Sequence, residues 1–119
     1  MSKWTSVNAS FRVQKFTAVT EREILDVFGR QSNSYNSFGN EDAEKLLPKG
    51  SEGTLNINIW INNDESDTNV ATVNVFGDLR DFDNVDGIEK WFNDCCESIG
   101  VKQAICQVYA NDSVEIFQY

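Results

Sequence analysis

Histidine is absent from the 119 residues, and with it the side chain that most often serves as general base, triad member or metal ligand near neutral pH. Three cysteines remain, Cys95 and Cys96 side by side and Cys106 ten positions on. They form neither a CxxC pair nor a zinc spacing, and on a helix Cys95 and Cys96 point about 100° apart. The expectation is small core hydrophobes plus one partly exposed thiol, Cys96, all reduced in a cytoplasmic setting. Asp81-Phe82-Asp83-Asn84-Val85-Asp86-Gly87 has the look of a calcium loop. Setting Gly87 at the sixth loop position, however, puts Phe82 at the first and Asn93 at the twelfth, where carboxylates are required. Gly50-Ser51-Glu52-Gly53 lacks the lysine of a phosphate-binding loop and the strand-to-helix context of a nucleophile elbow, so it reads as a turn. No cofactor, no metal and no catalytic residue is expected, and the chain is read as a non-enzyme.

Charge is the next constraint. The chain carries −9 at pH 7, a field that repels phosphates at long range and attracts basic surfaces. Residues 1 to 20 hold Lys3, Arg12 and Lys15 and no acid, whereas residues 61 to 100 hold ten acids against Arg80 and Lys90. Direct nucleic-acid binding is therefore disfavoured. A hydrophobic content of 40% separates this composition from that of an acidic disordered chain. One domain spanning residues 1 to 119 is expected, large enough to bury one core. No apolar run approaches the length of a membrane span, and Met1 to Ser10 contain no apolar leader segment.

The elements that must position any site are legible from period. Val7, Ala9, Phe11 and Val13 alternate with polar residues, as in a strand with one buried face, and Phe16 is expected to close it. Thr20-Glu21-Arg22-Glu23 reads as a capping box in which the Glu23 carboxylate reaches back to the Thr20 amide, followed by a short helix ending at Gly29. Residues 30 to 40 read as a loop, with a second short helix capped by Asn40 and running to Leu47. Thr54 to Asn62 and Val70 to Phe76 alternate again and suggest a hairpin across a charged loop from Asn63 to Asn69. An acidic turn from Gly77 to Asn84 then leads into a helix whose Ile88, Trp91, Phe92, Cys95 and Ile99 form one stripe, ended by Gly100. Val101 to Ala110 is a strand with Ala104, Cys106, Val108 and Ala110 inward, and Val114 to Tyr119 an optional edge strand. The order suggests an α+β fold, a ferredoxin-like split βαβ sandwich with an antiparallel sheet and both helices on one face. An α+β sandwich with another strand order is the rival.

Two surfaces then stand out for recognition. Trp60, Phe76 and Tyr109 fall on the outward parity of their strands, among Asn56, Asn58, Asn74 and Gln107, where an aromatic patch could form. RNA-recognition domains stack bases on such residues, but the scarcity of Lys and Arg there argues against that use. A covering segment, a homodimer contact or a protein partner suits it better. The second surface is the acidic series Asp78, Asp81, Asp83, Asp86 and Glu89. These carboxylates could mimic a row of phosphates and occupy the groove of a basic nucleic-acid enzyme, in a contact weakened by salt.

Met1-Ser2-Lys3-Trp4-Thr5-Ser6-Val7-Asn8, Leu47-Pro48-Lys49-Gly50-Ser51-Glu52-Gly53 and Gly77-Asp78-Leu79-Arg80-Asp81-Phe82 together resemble a family of small uncharacterised proteins from tailed phages and prophages. The resemblance covers about half the chain. It implies a phage accessory protein made in the bacterial host cytoplasm and carries over no catalytic residue. Some small acidic phage proteins of unrelated sequence inhibit host defence, which by analogy suggests an anti-CRISPR or anti-restriction inhibitor. The alternative expectation is a phage structural or assembly protein that dimerises through the aromatic sheet face.

Overall fold

The computed structural model describes residues 3–31, 46–63, 69–82, 84–110 and 113–119. Period-two alternation becomes strand β1 (Trp4–Lys15), whose buried positions are Thr5, Val7, Ala9, Phe11 and Val13. Helix α1 (Glu21–Phe28) follows, then β2 (Asn56–Asn63), β3 (Asn69–Arg80), helix α2 (Val85–Ser98), β4 (Val101–Ala110) and β5 (Ser113–Gln118). The strands form one sheet in the order β2-β3-β1-β4-β5, every pairing antiparallel. The fold is thus α+β, with β1 at the centre of a five-stranded antiparallel sheet.

Both helices cover the face from which Phe11 projects. The Phe11 ring meets Phe28 of α1 edge-on at 4.6 Å, and Trp91 and Phe92 of α2 at 5.8 and 5.3 Å. The edge-to-face contacts with Phe28 and Trp91, and the tilted one with Phe92, add to the burial that drives the packing. The Trp91 Nε1–H donates to the Phe28 carbonyl at 2.8 Å. That carbonyl belongs to the last turn of α1, where it has no partner within the helix, so one bond satisfies both groups and ties the helices together.

Caps and turns form largely where the residue types place them. Thr20 Oγ1 accepts the Glu23 amide at 3.2 Å, but the Glu23 carboxylate pairs with Lys15 Nζ instead of closing the box on Thr20. A full positive charge is the stronger partner. Asn84 caps α2, its Oδ1 accepting the Gly87 amide at 3.0 Å. At the end of β2 and the start of β3, side chains tie the hairpin to the segment after β1: the Asn63 amide exchanges two hydrogen bonds with the Val19 backbone, and Asn69 donates to the Phe16 carbonyl.

Four expectations are corrected. β3 does not end at Phe76 before an acidic turn but runs four residues further to Arg80, since buried Leu79 resumes the inward alternation. Gly77 permits this, because a Cβ there would lie 2.8 Å from the Thr54 carbonyl. The turn is confined to the residues after Arg80 and begins at Asp81, which takes the left-handed conformation (φ 53°) that Asp tolerates better than most residues. Phe16 does not close β1; it is 87% exposed. Cys96 is not partly exposed, because the buried face of α2 is wide enough to take Cys95 and Cys96 together. Finally, Leu46 and Leu47 are not helical: Leu46 bridges Arg30 as a strand would, and the Leu47 amide donates to the Arg30 carbonyl at 2.9 Å. The rest of that expected helix, and the Asn63 to Asn69 loop at 64–68, lie outside the described residues.

Candidate protein-contact face

A sheet covered by helices on one side presents its other parity to the surroundings. On β1 these positions are Trp4, Ser6, Asn8, Ser10, Arg12 and Gln14, and the pairing registers carry the rows across the sheet. The Ser6 row contains Asp78 on β3, Tyr109 on β4 and Val114 on β5. In the Asn8 row stand Asn56, Phe76, Gln107 and Ile116. Ser10 aligns with Asn58, Asn74, Ile105 and Gln118, and Arg12 with Trp60, Thr72 and Gln103.

Trp60, Phe76 and Tyr109 are all exposed on this face. They are not one cluster. Phe76 and Tyr109 flank β1 at two strand spacings, about 10 Å, and Trp60 lies about 14 Å along β2 from the residue opposite Phe76. The continuous apolar strip is elsewhere, along the β4–β5 edge. There Tyr109 pairs directly with Val114, and Ile105 and Ile116 occupy the adjoining rows, all four exposed. Trp4 adds a further exposed ring at the far end of β1. Sequence parity already placed Trp4 and Ile105 outward, but Val114 and Ile116 needed the β4–β5 register.

The acidic series is spread over separate places. Asp78 sits on the open face and accepts a hydrogen bond from Ser6 Oγ. Asp81 is held in the turn: its carboxylate accepts from Ser51 Oγ at 3.1 Å and from the Lys3 amide at 3.4 Å, with the Arg80 guanidinium 3.7 Å away. Asp83 lies outside the described residues. Asp86 and Glu89 are exposed on α2, in the helical layer on the opposite side of the sheet. Asp94 and Glu97 extend that helical row, with Lys90 bound to Asp94 at 2.9 Å.

Comparison with protein-family models, characterised proteins and solved structures finds no match.

Among the described residues no group of three His, Cys, Asp or Glu side chains is arranged to hold a metal ion. The three cysteines are free thiols inside the core. Burial, reinforced by the Glu97 charge, pushes Cys96 up to about 11, and burial beside Cys96 pushes Cys106 up to about 12, so neither offers a thiolate nucleophile near neutral pH. No helix among the described residues is long and apolar enough to cross a membrane. A shallow groove of about 230 Å³ lies on the open face beside the β-bulge at Arg12, lined by Ser10, Arg12, Gln103, Ala104 and Ile105. The Arg12 side chain has no hydrogen-bond or ion-pair partner among the described residues.

Proposed function

We propose that this chain is a non-enzymatic protein-binding module whose contact surface is the open sheet face. The reading treats the sheet as ferredoxin-like: β1 lies between β3 and β4, β2 lies outside β3, and β5 extends the β4 edge. One observation carries it. Trp4, Trp60, Phe76, Ile105, Tyr109, Val114 and Ile116 are exposed together on a face that no element of the described fold covers. Chains that act alone rarely leave so much apolar surface on one side. A cytoplasmic setting suits the three buried free thiols.

A second reading keeps the acidic surface as the contact and makes the protein a phage-encoded inhibitor of a basic nucleic-acid enzyme. The exposed row Asp86, Glu89, Asp94 and Glu97 on α2 favours it. Capture experiments separate the two. Immobilised chain carrying Tyr109→Ser and Ile116→Ser should lose its partners, and chain carrying Asp86→Lys and Glu89→Lys should keep them at both low and high salt. The reverse pattern, with salt abolishing capture, would transfer the function to the helix.

A further inference from the structure

The open face is distinguished by charge as well as by apolar surface. The chain as a whole carries −9, yet the strand residues of this face hold one acid, Asp78, against Arg12, Arg80 and, at the β-bulge, exposed Lys102. Two copies of so acidic a chain repel each other over most of their surfaces, but not here. A strongly basic partner would be drawn to α2 instead.

The placement of those charges goes further. Arg12 on β1 and Asp78 on β3 stand in neighbouring strands, and Asp78 pairs with Ser6, so the two charged rows lie equally far from Ala9 at the middle of β1. Let two such faces meet about a two-fold axis that crosses the strands at Ala9 and lies between the sheets. Each strand then lies over its own counterpart, and the Ser6 row of one copy lies over the Arg12 row of the other. Asp78 of each copy comes to rest one strand spacing, about 4.8 Å, to the side of the other copy's Arg12. Face-packed sheets are about 10 Å apart, a gap that a guanidinium side chain and a carboxylate close together. In the same superposition Ile116 meets the row that carries the other copy's Ile105.

We propose that the open sheet face seats a second copy of this chain, packed face to face so that Arg12 of each copy pairs with Asp78 of the other. The inference rests on reading this face as a protein-contact surface and names its occupant. The area is sufficient. Five strands of 12, 8, 12, 10 and 6 residues, at roughly 3.4 Å by 4.8 Å per residue, make a face on the order of 800 Å². That is about what each partner contributes to a standard stable interface. Association of this kind is isologous and closed, so it stops at the dimer.

Charge reversal tests the pairing. The mass of the chain is measured by light scattering over a range of concentrations, for the wild type, Arg12→Glu and Asp78→Lys. The wild type is expected to be a dimer, and each variant to dissociate at least ten-fold more readily because each places two like-charged pairs in its own interface. An equimolar mixture of the two variants is expected to recover the dimer, since every contact between them is again of opposite sign. Both sites are exposed, and unchanged circular dichroism checks the fold of each variant. Should Asp78→Lys fail to fold without its bond to Ser6, Tyr109→Ser with Ile116→Ser replaces it, and is expected to be monomeric. A wild type that remains monomeric at high concentration, variants that dimerise as tightly as the wild type, or a mixture that does not recombine would each overturn the proposal. A monomer that still loses its partners on Tyr109→Ser with Ile116→Ser would leave the contact surface in place and remove only the second copy.

Discussion

At the scale of single residues, Trp91 links the two helices through ring contact and through its indole hydrogen bond. Trp91→Ala is expected to cost about 3 to 5 kcal/mol. Trp91→Phe, which keeps most of the volume but leaves the Phe28 carbonyl unpaired, should cost about 1 to 3 kcal/mol. Urea denaturation of both variants measures the difference. The cysteines give a pH dependence of definite sign. With Cys96 raised to about 11 and Cys106 to about 12, the folded state keeps protons that the unfolded state releases from about pH 9 upward. Their contribution is complete below pH 9 and is lost as the pH rises toward 12. The melting temperature should fall over that window, and less steeply in Cys106→Ala. An equal slope in the variant would assign the alkaline loss to other groups.

At the scale of elements, the extension of β3 is the feature most open to attack. Gly77→Val forces a branched side chain against the Thr54 carbonyl, 2.8 Å from the ideal Cβ position. It should cost about 1 to 3 kcal/mol and loosen the approach of the Thr54–Leu55 backbone to β3, read as faster amide exchange there. The same place shows why sequence reasoning stopped short. The alternation Val73, Val75, Gly77, Leu79 is present in the sequence, but a glycine beside an aspartate normally signals a turn. Only the neighbouring backbone explains it as a strand residue. Elements with a clear period were legible nearly to the residue: β4 spans Val101–Ala110, although the bulge at its start buries Val101 against the alternation, and the α2 stripe is buried throughout. Capping was half legible, because Thr20 could be identified from its neighbours but the Lys15 partner of Glu23 comes from another element. The candidate face was legible in parity and not in extent. Which side Trp60 and Tyr109 take follows from counting by two, but which rows they share depends on register.

At the scale of the whole molecule, the excess of negative charge opposes the compact state. Raising ionic strength from about 0.01 M to 0.15 M shortens the Debye length from about 30 Å to about 8 Å, so stability should rise with salt and then level off. A thermal scan across sodium chloride concentrations checks this, and a flat or falling curve would mean that local ion pairs such as Arg80 with Glu52 and Lys90 with Asp94 outweigh the net repulsion. The three tryptophans occupy different surroundings: Trp91 is 7% exposed in the core, while Trp60 at 58% and Trp4 stand on the open face. The chain therefore carries its own optical labels. Acrylamide should quench Trp4 and Trp60 in the monomer and spare Trp91. Anything that settles over the sheet should shield the first two and leave the third unchanged, whereas denaturation should expose the third. A single emission spectrum can in this way tell docking from unfolding without a dye.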